Sequence, residues 1–486
     1  MATAKVIIKD EVNVKIEGLD LDTRKDLVKK FKYFDQKARY MPAYKLGRWD
    51  GCTPFFGLGG TTYVSLLDRV LPLLDQWGYY IEVEDLRSPV ELNFDKVESD
   101  FWGDATWPEG HRFAGDPIRL REDQVEVVNK FLENPQCIQE IATGFGKTIT
   151  TATLAKICEK YGRTVTIVPN KSLVEQTEED FINCGLDVGV YYGDRKDLDK
   201  THTICTWQSL NILDKKGKNS SENEEILTVA ELLDNVKTVM VDEVHMAKAE
   251  VLKNLLTHNL AHTPIRWGLT GTIPKEDIDF ENIRASLGEV VHQVKAHELQ
   301  EAGVLSTCHV NIVQTQEWKE FESYPAELKY LVTDEDRMSW IAKLINKISE
   351  SGNTLVLVDR IESGKFLINE LPEAVFISGA VKTKDRKEEY DEIKTADNKI
   401  IVATYGVAAV GINIPRIFNM VLLEPGKSFV RVIQSIGRGI RKADDKDFVQ
   451  IWDITANSKY AKRHLTERKK YYKEAKYPFT IEKVKY

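Results

Sequence analysis

The stretch CIQEIATGFGKT, Cys137 to Thr148, decides how the rest of the chain is read. Cys137 to Ile141 reads as a buried strand, and Ala142-Thr143-Gly144-Phe145-Gly146-Lys147-Thr148 is a glycine turn that opens a helix after Lys147. Such a turn lets the amides around Gly144 and Gly146 approach phosphate oxygens at a helix N-terminus. Lys147 then reaches the β and γ phosphates, and Thr148 offers its hydroxyl to Mg²⁺. The strict phosphate-loop pattern asks for Gly at position 141, where this chain has Ile141. What survives is Gly-x-Gly-Lys-Thr, and taken alone a glycine turn with an incidental Lys-Thr competes with it.

Outward from this stretch the pattern repeats. Between Ile118 and about Val294, strands are expected at Val165 to Val168, Val236 to Val241 and Trp267 to Leu269, with helices from Ser172 and near Ala247 to Thr257. Alternation of this kind implies a parallel sheet covered by helices. Lys215 to Glu225, charged and rich in Asn and Ser, is expected as a solvent loop. A second series follows at Thr354 to Val358, Ala374 to Ile377, Lys399 to Ala403, Met420 to Leu423 and Phe448 to Trp452. It has no phosphate loop, so it predicts a partner lobe and not a second nucleotide site.

Ahead of both, residues 1–95 predict a small α/β domain: a strand over Lys5 to Ile16, helices over Asp22 to Phe34 and Val64 to Trp77, and a closing strand over Tyr79 to Val83. Asp50-Gly51 reads as a tight turn. Residues 96–117 lie in a polar stretch with Pro and Gly, the expected linker, and the lobes are expected at 118–300 and 301–455. The last segment, 456–486, is expected as a basic helical tail.

At 486 residues, with 42% hydrophobic and 29% charged, the chain predicts a globular protein of two or three domains. The opening MATAKVIIKDEV lacks the apolar core of a signal peptide. The longest nearly apolar run, Ile400 to Ile414, is too short to span a bilayer and is broken by Thr404, Tyr405, glycines and Asn413. A cytoplasmic protein without membrane contact is the expectation. Six scattered cysteines form no CxxC pair, and no His stands at zinc-ligand spacing.

The net charge of −9 is uneven: Ala456 to Tyr486 holds ten Lys/Arg against three Asp/Glu. A basic segment interleaved with Tyr460, Tyr471, Tyr472 and Tyr477 suits a phosphate backbone and stacked bases, and equally suits a solvated terminal helix.

Two further motifs carry chemistry. Asp242-Glu243-Val244-His245 follows the apolar Val239-Met240-Val241, so its acids emerge at a strand's carboxyl end, where open α/β sheets bind ligands. Asp242 suits Mg²⁺, and Glu243 suits orientation of an attacking water. In isolation, adjacent carboxylates are more often a solvated turn. Far along the chain, Gln434-Ser435-Ile436-Gly437-Arg438-Gly439-Ile440-Arg441 reads as a helix with Gln434, Gly437, Arg438 and Arg441 on one face. Two guanidiniums there suit a γ-phosphate as arginine fingers do, or surface ion pairs.

With these three motifs in this order, the chain resembles the superfamily 2 helicases and translocases over roughly residues 118 to 455. Arg121 and Gln124 resemble the upstream adenine-contacting element. Pro169, Asn170, Lys171 and Ser172, with Thr206 and Gln208, resemble the strand-contacting motifs of the first lobe. Leu269-Thr270-Gly271-Thr272 resembles the coupling motif, with Gly271 where Ala is commoner. The run from Thr404 to Pro415 resembles the motif that touches DNA phosphates through Thr404 and nucleotide through Gly411 and Asn413.

The resemblance implies two RecA-like lobes with ATP and Mg²⁺ as cofactors. The catalytic residues are then Lys147, Asp242, Glu243, Gln434, Arg438 and Arg441, and the metal ligands Thr148 and Asp242. Arg121, Gln124, Thr143 to Thr148, Gly411 and Asn413 bind the nucleotide.

Tyr40-Met41-Pro42, Gly47-Arg48-Trp49-Asp50-Gly51 and Gly78-Tyr79 are similar to the N-terminal domain of the UvsW family of T4-type phage helicases. That similarity implies a monomeric 3′-to-5′ DNA helicase that migrates junctions, regresses forks and unwinds R-loops in the host cytoplasm. Its partners are then branched DNA and single-strand/duplex junctions, with RNA–DNA hybrids besides. Lys45, Arg48 and Trp49 are candidate DNA contacts; Trp49 suits a junction wedge or the anchor of a small core. Three other functions fit the same motifs: an RNA-directed helicase, a nucleotide-switched DNA clamp that does not translocate, and the motor of a restriction system. For the last of these, no nuclease carboxylate–lysine cluster stands out in the extra segments.

Overall fold

The computed structural model describes residues 2–111, 113–197, 199–219, 227–246, 249–378, 396–411, 414 and 416–486. The chain divides into two compact units, Met1–Glu140 with Gly146–Gln293 and Ile141–Phe145 with Val294–Tyr486.

The first unit opens with a sheet of four strands in the order Thr61–Tyr63, Asn13–Glu17, Thr3–Ile8, Tyr80–Asp85. The single strand expected over Lys5 to Ile16 is instead a hairpin, with Lys5 opposite Glu17 and Ile8 opposite Val14. Asp10 is the reason: its Oδ1 accepts from the amides of Val12 at 2.9 Å and Asn13 at 2.7 Å, and this side-chain turn reverses the chain. The helix expected over Asp22 to Phe34 stops at Lys30 and is followed by the short strand Lys32–Phe34.

This front sheet is fused to the remainder of its unit. Its core of Val6, Ile16, Leu27, Phe31, Phe55 and Val70 also takes in Ile278 and Ala285 of helix Asp277–Leu287. Arg69 Nη2 reaches Glu281 Oε2 of that helix at 2.7 Å, and the Lys253 ammonium lies over the Phe55 and Tyr63 rings at 4.3 and 4.9 Å.

The second sheet of this unit has eight strands, in the order Arg195–Lys196, Val188–Tyr192, His202–Thr206, Arg163–Val168, Val236–Asp242, Ile265–Thr270, Gln136–Ile141, Glu289–Val294. From Val188–Tyr192 to Gln136–Ile141 neighbours run parallel. Helices cover both faces, so the central strands are buried almost throughout. Part of the expected loop at Lys215 is helical, because helix Trp207–Asn219 runs through it; residues 220–226 lie outside the described residues.

The second unit is built on seven parallel strands, in the order Val375–Ile377, Ile400–Thr404, Thr354–Val358, Asn419–Leu423, Phe448–Ala456, Thr307–Thr315, Phe479–Val484. The basic segment forms helix Lys459–Glu474 and then supplies the edge strand Phe479–Val484, paired with Val310 to Thr315. Tyr472 and Tyr477 are therefore buried core residues and cannot stack on bases; Tyr460 and Tyr471 remain half-exposed. Among the described residues no helix is long and apolar enough to cross a membrane.

Candidate nucleotide-hydrolysis site

The strand Gln136–Ile141 delivers the phosphate loop to helix Lys147–Cys158. Ile141 is fully buried, so the position that departs from the strict pattern finishes the strand's packing. Gly144 and Gly146 have φ of +88° and +90°, a conformation that favours glycine. A Cβ on Gly146 would come within 2.8 Å of Gln124 Nε2. Gln124 is buried and caps helix Glu122–Glu133 by accepting from the Arg121 amide at 3.1 Å, while the Arg121 guanidinium forks onto Asp123. Gly146 and the two upstream residues are thus brought together.

Across the sheet, Lys147 Nζ lies 2.8 Å from Glu243 Oε1 and 4.0 Å from Asp242 Oδ1, each side chain largely shielded. Glu243 stands in the left-handed region at φ +49°, a strained backbone for a non-glycine residue and common at functional sites. Its other oxygen, Oε2, accepts from the Gly271 amide at 3.3 Å and lies 3.5 Å from His245 Nδ1. His245 Nδ1 is 2.6 Å from Thr270 Oγ1, and that hydroxyl donates to the Thr272 carbonyl at 2.7 Å. With its proton committed there, Thr270 accepts from His245, which fixes the Nδ1–H tautomer. His245 thereby joins the acid pair to Thr270-Gly271-Thr272, a role that sequence reasoning missed.

Asp180 was missed as well. Burial pushes its carboxyl up to about 6, against a hydrogen bond with the Thr148 hydroxyl that pulls it down.

In the second unit, helix Phe429–Gly439 carries buried Gln434 and half-buried Arg438. The expectation that Arg441 shares their helical face is corrected: the helix ends at Gly439, and Arg441 forms an antiparallel bridge with Leu305. The same unit contains loop residues 141–145. A Cβ on Gly437 would meet Thr143 Cβ at 3.1 Å, and one on Gly144 would meet Leu305 Cδ2 at 2.7 Å. Lys446 closes the helix by donating to the Gly439 carbonyl at 2.8 Å; burial, then nearby Arg441, push its ammonium down to about 7.

Candidate strand contacts cluster at the ends of paired strands Arg163–Val168 and His202–Thr206. Gln208 Nε2 donates to the Pro169 carbonyl at 2.9 Å. Asn170 Oδ1 caps helix Lys171–Asn183 at the Leu173 amide, with Ser172 in its first turn, and Lys171 Nζ is 3.7 Å from Glu175. Thr206 Oγ1 lies 2.9 Å from Ser209 Oγ. In the second unit Thr404 ends strand Ile400–Thr404, and Gly411 ends helix Tyr405–Gly411; Asn413 lies outside the described residues. In the front domain Lys45 and Arg48 are exposed. Trp49 is half-buried and donates Nε1 to the Cys52 carbonyl at 2.8 Å, apart from the hydrophobic core of its domain. On the same stretch of chain Tyr40 is 80% exposed and Leu46 65%.

Residues 117–275 match the family described as type III restriction enzyme, res subunit, and residues 336–443 match the helicase conserved C-terminal domain. The chain is similar to the ATP-dependent DNA helicase UvsW of Enterobacteria phage T4, 24% identical over 491 residues that cover 96% of this chain and 93% of that protein. It is also similar to transcript termination protein A18 of Fowlpox virus, 25% identical over 61% of this chain and 65% of that one. In fold it is similar to the ATP-dependent type ISP restriction-modification enzyme LlaBIII bound to DNA, with a TM-score of 0.56 and 14% identity over 86% of this chain and 34% of that one.

Proposed function

We infer that this chain, which belongs to the superfamily 2 helicases and is an ATP-dependent helicase, acts on branched DNA and moves 3′ to 5′ along one strand. The chemistry rests on one observation, the 2.8 Å pair between Lys147 and Glu243. An ammonium held by a carboxylate exchanges it for a phosphate, which offers more charge and more acceptors. Once Lys147 turns to the β and γ phosphates, Glu243 Oε1 is left without its nearest partner. Its Oε2 stays anchored by the Gly271 amide, so Oε1 can accept the proton of an attacking water. Lys147 thus ties activation of the base to arrival of the nucleotide. Arg438 and Arg441 supply the positive charge that the transition state needs.

The residues present fit Mg²⁺ carried in with the nucleotide. Thr148 and Asp242 would hold it, since Mg²⁺ bound with phosphates takes only one or two protein ligands. Among the described residues no cluster of three or more His, Cys, Asp or Glu could hold a metal by itself.

DNA as the track is supported by the likeness to a DNA helicase over nearly the whole chain and by the exposed Lys45, Arg48 and Tyr40. Pro169 to Ser172, Thr206 and Thr404 grip phosphates, which makes the motor indifferent to sequence. The test is ATP turnover and strand separation on fork, four-way junction, R-loop and linear duplex substrates, with RNA alongside. Preference for the branched DNAs is expected. Stimulation by RNA alone would reassign the track, and equal strand displacement with a non-hydrolysable analogue would make the chain a clamp.

A further inference from the structure

A cavity of about 960 Å³ lies wholly within the second unit, between the Pro425 to Ser428 loop, Arg431 and the exposed side of helix Lys459–Glu474. One wall of it comes from the basic, tyrosine-bearing segment that opens at Ala456; the nucleotide-site motifs take no part in it. Its size is at the upper end of ligand pockets and accommodates an unstacked nucleotide.

Its chemistry is cationic and aromatic. Lys427 and Arg463 stand exposed at the rim and form no ion pair among the described residues. The other charges are balanced: Arg431 Nη1 is paired with Asp359 at 2.7 Å, and Glu467 with Lys470 at 2.9 Å. The wall is formed by the Tyr324 ring, with His464 edge-on at 4.8 Å and Tyr460 tilted at 6.1 Å. His464 is held below its ordinary value by burial and then by Arg468 and Lys427. Seven Lys/Arg against two Glu in helix Lys459–Glu474 add a positive field.

The floor is rigid. Arg468 Nη1 donates to the Gly426 carbonyl at 2.7 Å, Tyr471 Oη donates to the Lys427 carbonyl at 3.0 Å, and Glu327 takes the amides of Tyr460 and Ala461. The cavity also adjoins a strand end already assigned to the track. The Arg431 guanidinium lies 5.1 Å over the ring of Tyr405, the residue after Thr404.

We propose that this cavity is a second nucleic-acid grip, which takes a single-stranded segment leaving Thr404, with Lys427 and Arg463 on its phosphates and an unstacked base against Tyr324 and Tyr460. Single strands are bound in this way, by a cationic groove with aromatic platforms that tolerate any base. The assignment deepens the function proposed above and rests on nucleic acid being the track.

The experiment uses the full chain and a fluorescein-labelled oligothymidylate containing 4-thiothymidine, read by anisotropy over a salt series and by photo-crosslinking. Lys427→Ala with Arg463→Ala is expected to weaken binding about 10- to 100-fold at low salt. The salt slope should fall by about 0.7 for each phosphate no longer neutralised. Lys427→Arg with Arg463→Lys should restore the slope, and crosslinks should map to Tyr324 or Tyr460. An unchanged slope in the alanine pair, an equal defect in the conservative pair, or crosslinks confined to other residues would overturn the grip. So would equally tight, pocket-dependent binding of polyglutamate, which would make it an acidic-peptide site. If wild-type ATP turnover responds to DNA while the alanine pair keeps the wild-type slope, only the grip fails; if wild type neither binds DNA nor is stimulated by it, the functional assignment fails too.

Discussion

The two large sheets each carry shielded charged residues, yet they treat charge in opposite ways. In the first, Lys147 is held by Glu243 at 2.8 Å and more loosely by Asp242 at 4.0 Å, with a tenth to a fifth of each side chain open to solvent. In the second, Arg468 forks onto Asp453 with two bonds of 2.8 Å, and the same carboxylate accepts from the Tyr472 hydroxyl at 2.7 Å. Arg337 sits between Glu424 and Glu317, at 2.8 and 3.3 Å, with no exposure at all. A cation held end-on by carboxylates that are partly open to solvent can be handed to a ligand. A cation whose donors are all engaged in the core can only hold the fold.

The sharpest test of this contrast is Lys147→Ala, which should abolish ATP turnover while the unfolding midpoint moves little. Unfolding of the variant instead would mean that the first sheet's cation is structural too. Glu243→Gln should bind ATP, measured by a fluorescent analogue, and slow turnover by orders of magnitude. Near-normal hydrolysis would remove Glu243 as the base. Arg468→Ala should show the reverse profile, with urea unfolding reporting a loss of about 3–5 kcal/mol from the stranded Asp453.

The smallest effect concerns pH. Burial outweighs the attraction of Arg337 and Arg468 and pushes the Glu424 carboxyl up to about 7. Between its unfolded value near 4.5 and that point, the folded chain holds a proton the unfolded chain has released. This contribution to stability is therefore full below about pH 4.5 and gone once pH has risen past 7. Glu424→Gln should flatten that part of the stability profile by a few kcal/mol at most; an unaltered profile would assign the dependence to other groups.

The central strands were legible because each is a buried parallel strand with a short apolar run. Thr354–Val358 coincides with its expected span, and Gln136–Ile141 differs by one residue. Edge strands were harder. Phe479–Val484 alternates weakly and is mostly exposed, and it exists because Val310 to Thr315, far back in the chain, offers it a partner. The hairpin at Asp10 was hidden because alternation continues through the turn. Of the site, the phosphate loop and acid pair could be read locally. The bridge from His245 to Thr270 could not, since 25 residues separate two side chains that only the sheet brings side by side.

The fusion of the front sheet to helix Asp277–Leu287 has an experimental use. Five of the six cysteines are buried, and Cys52, on strand Cys52–Pro54 of the front domain, is the exception. A thiol-reactive dye should therefore attach there first, without mutagenesis. Because Arg69 and Glu281 clamp that domain to the body carrying Lys147 and Glu243, the dye's orientation would follow that body and not a swinging tether. Polarised fluorescence from a single label would then record the motor's own rotation during each turnover.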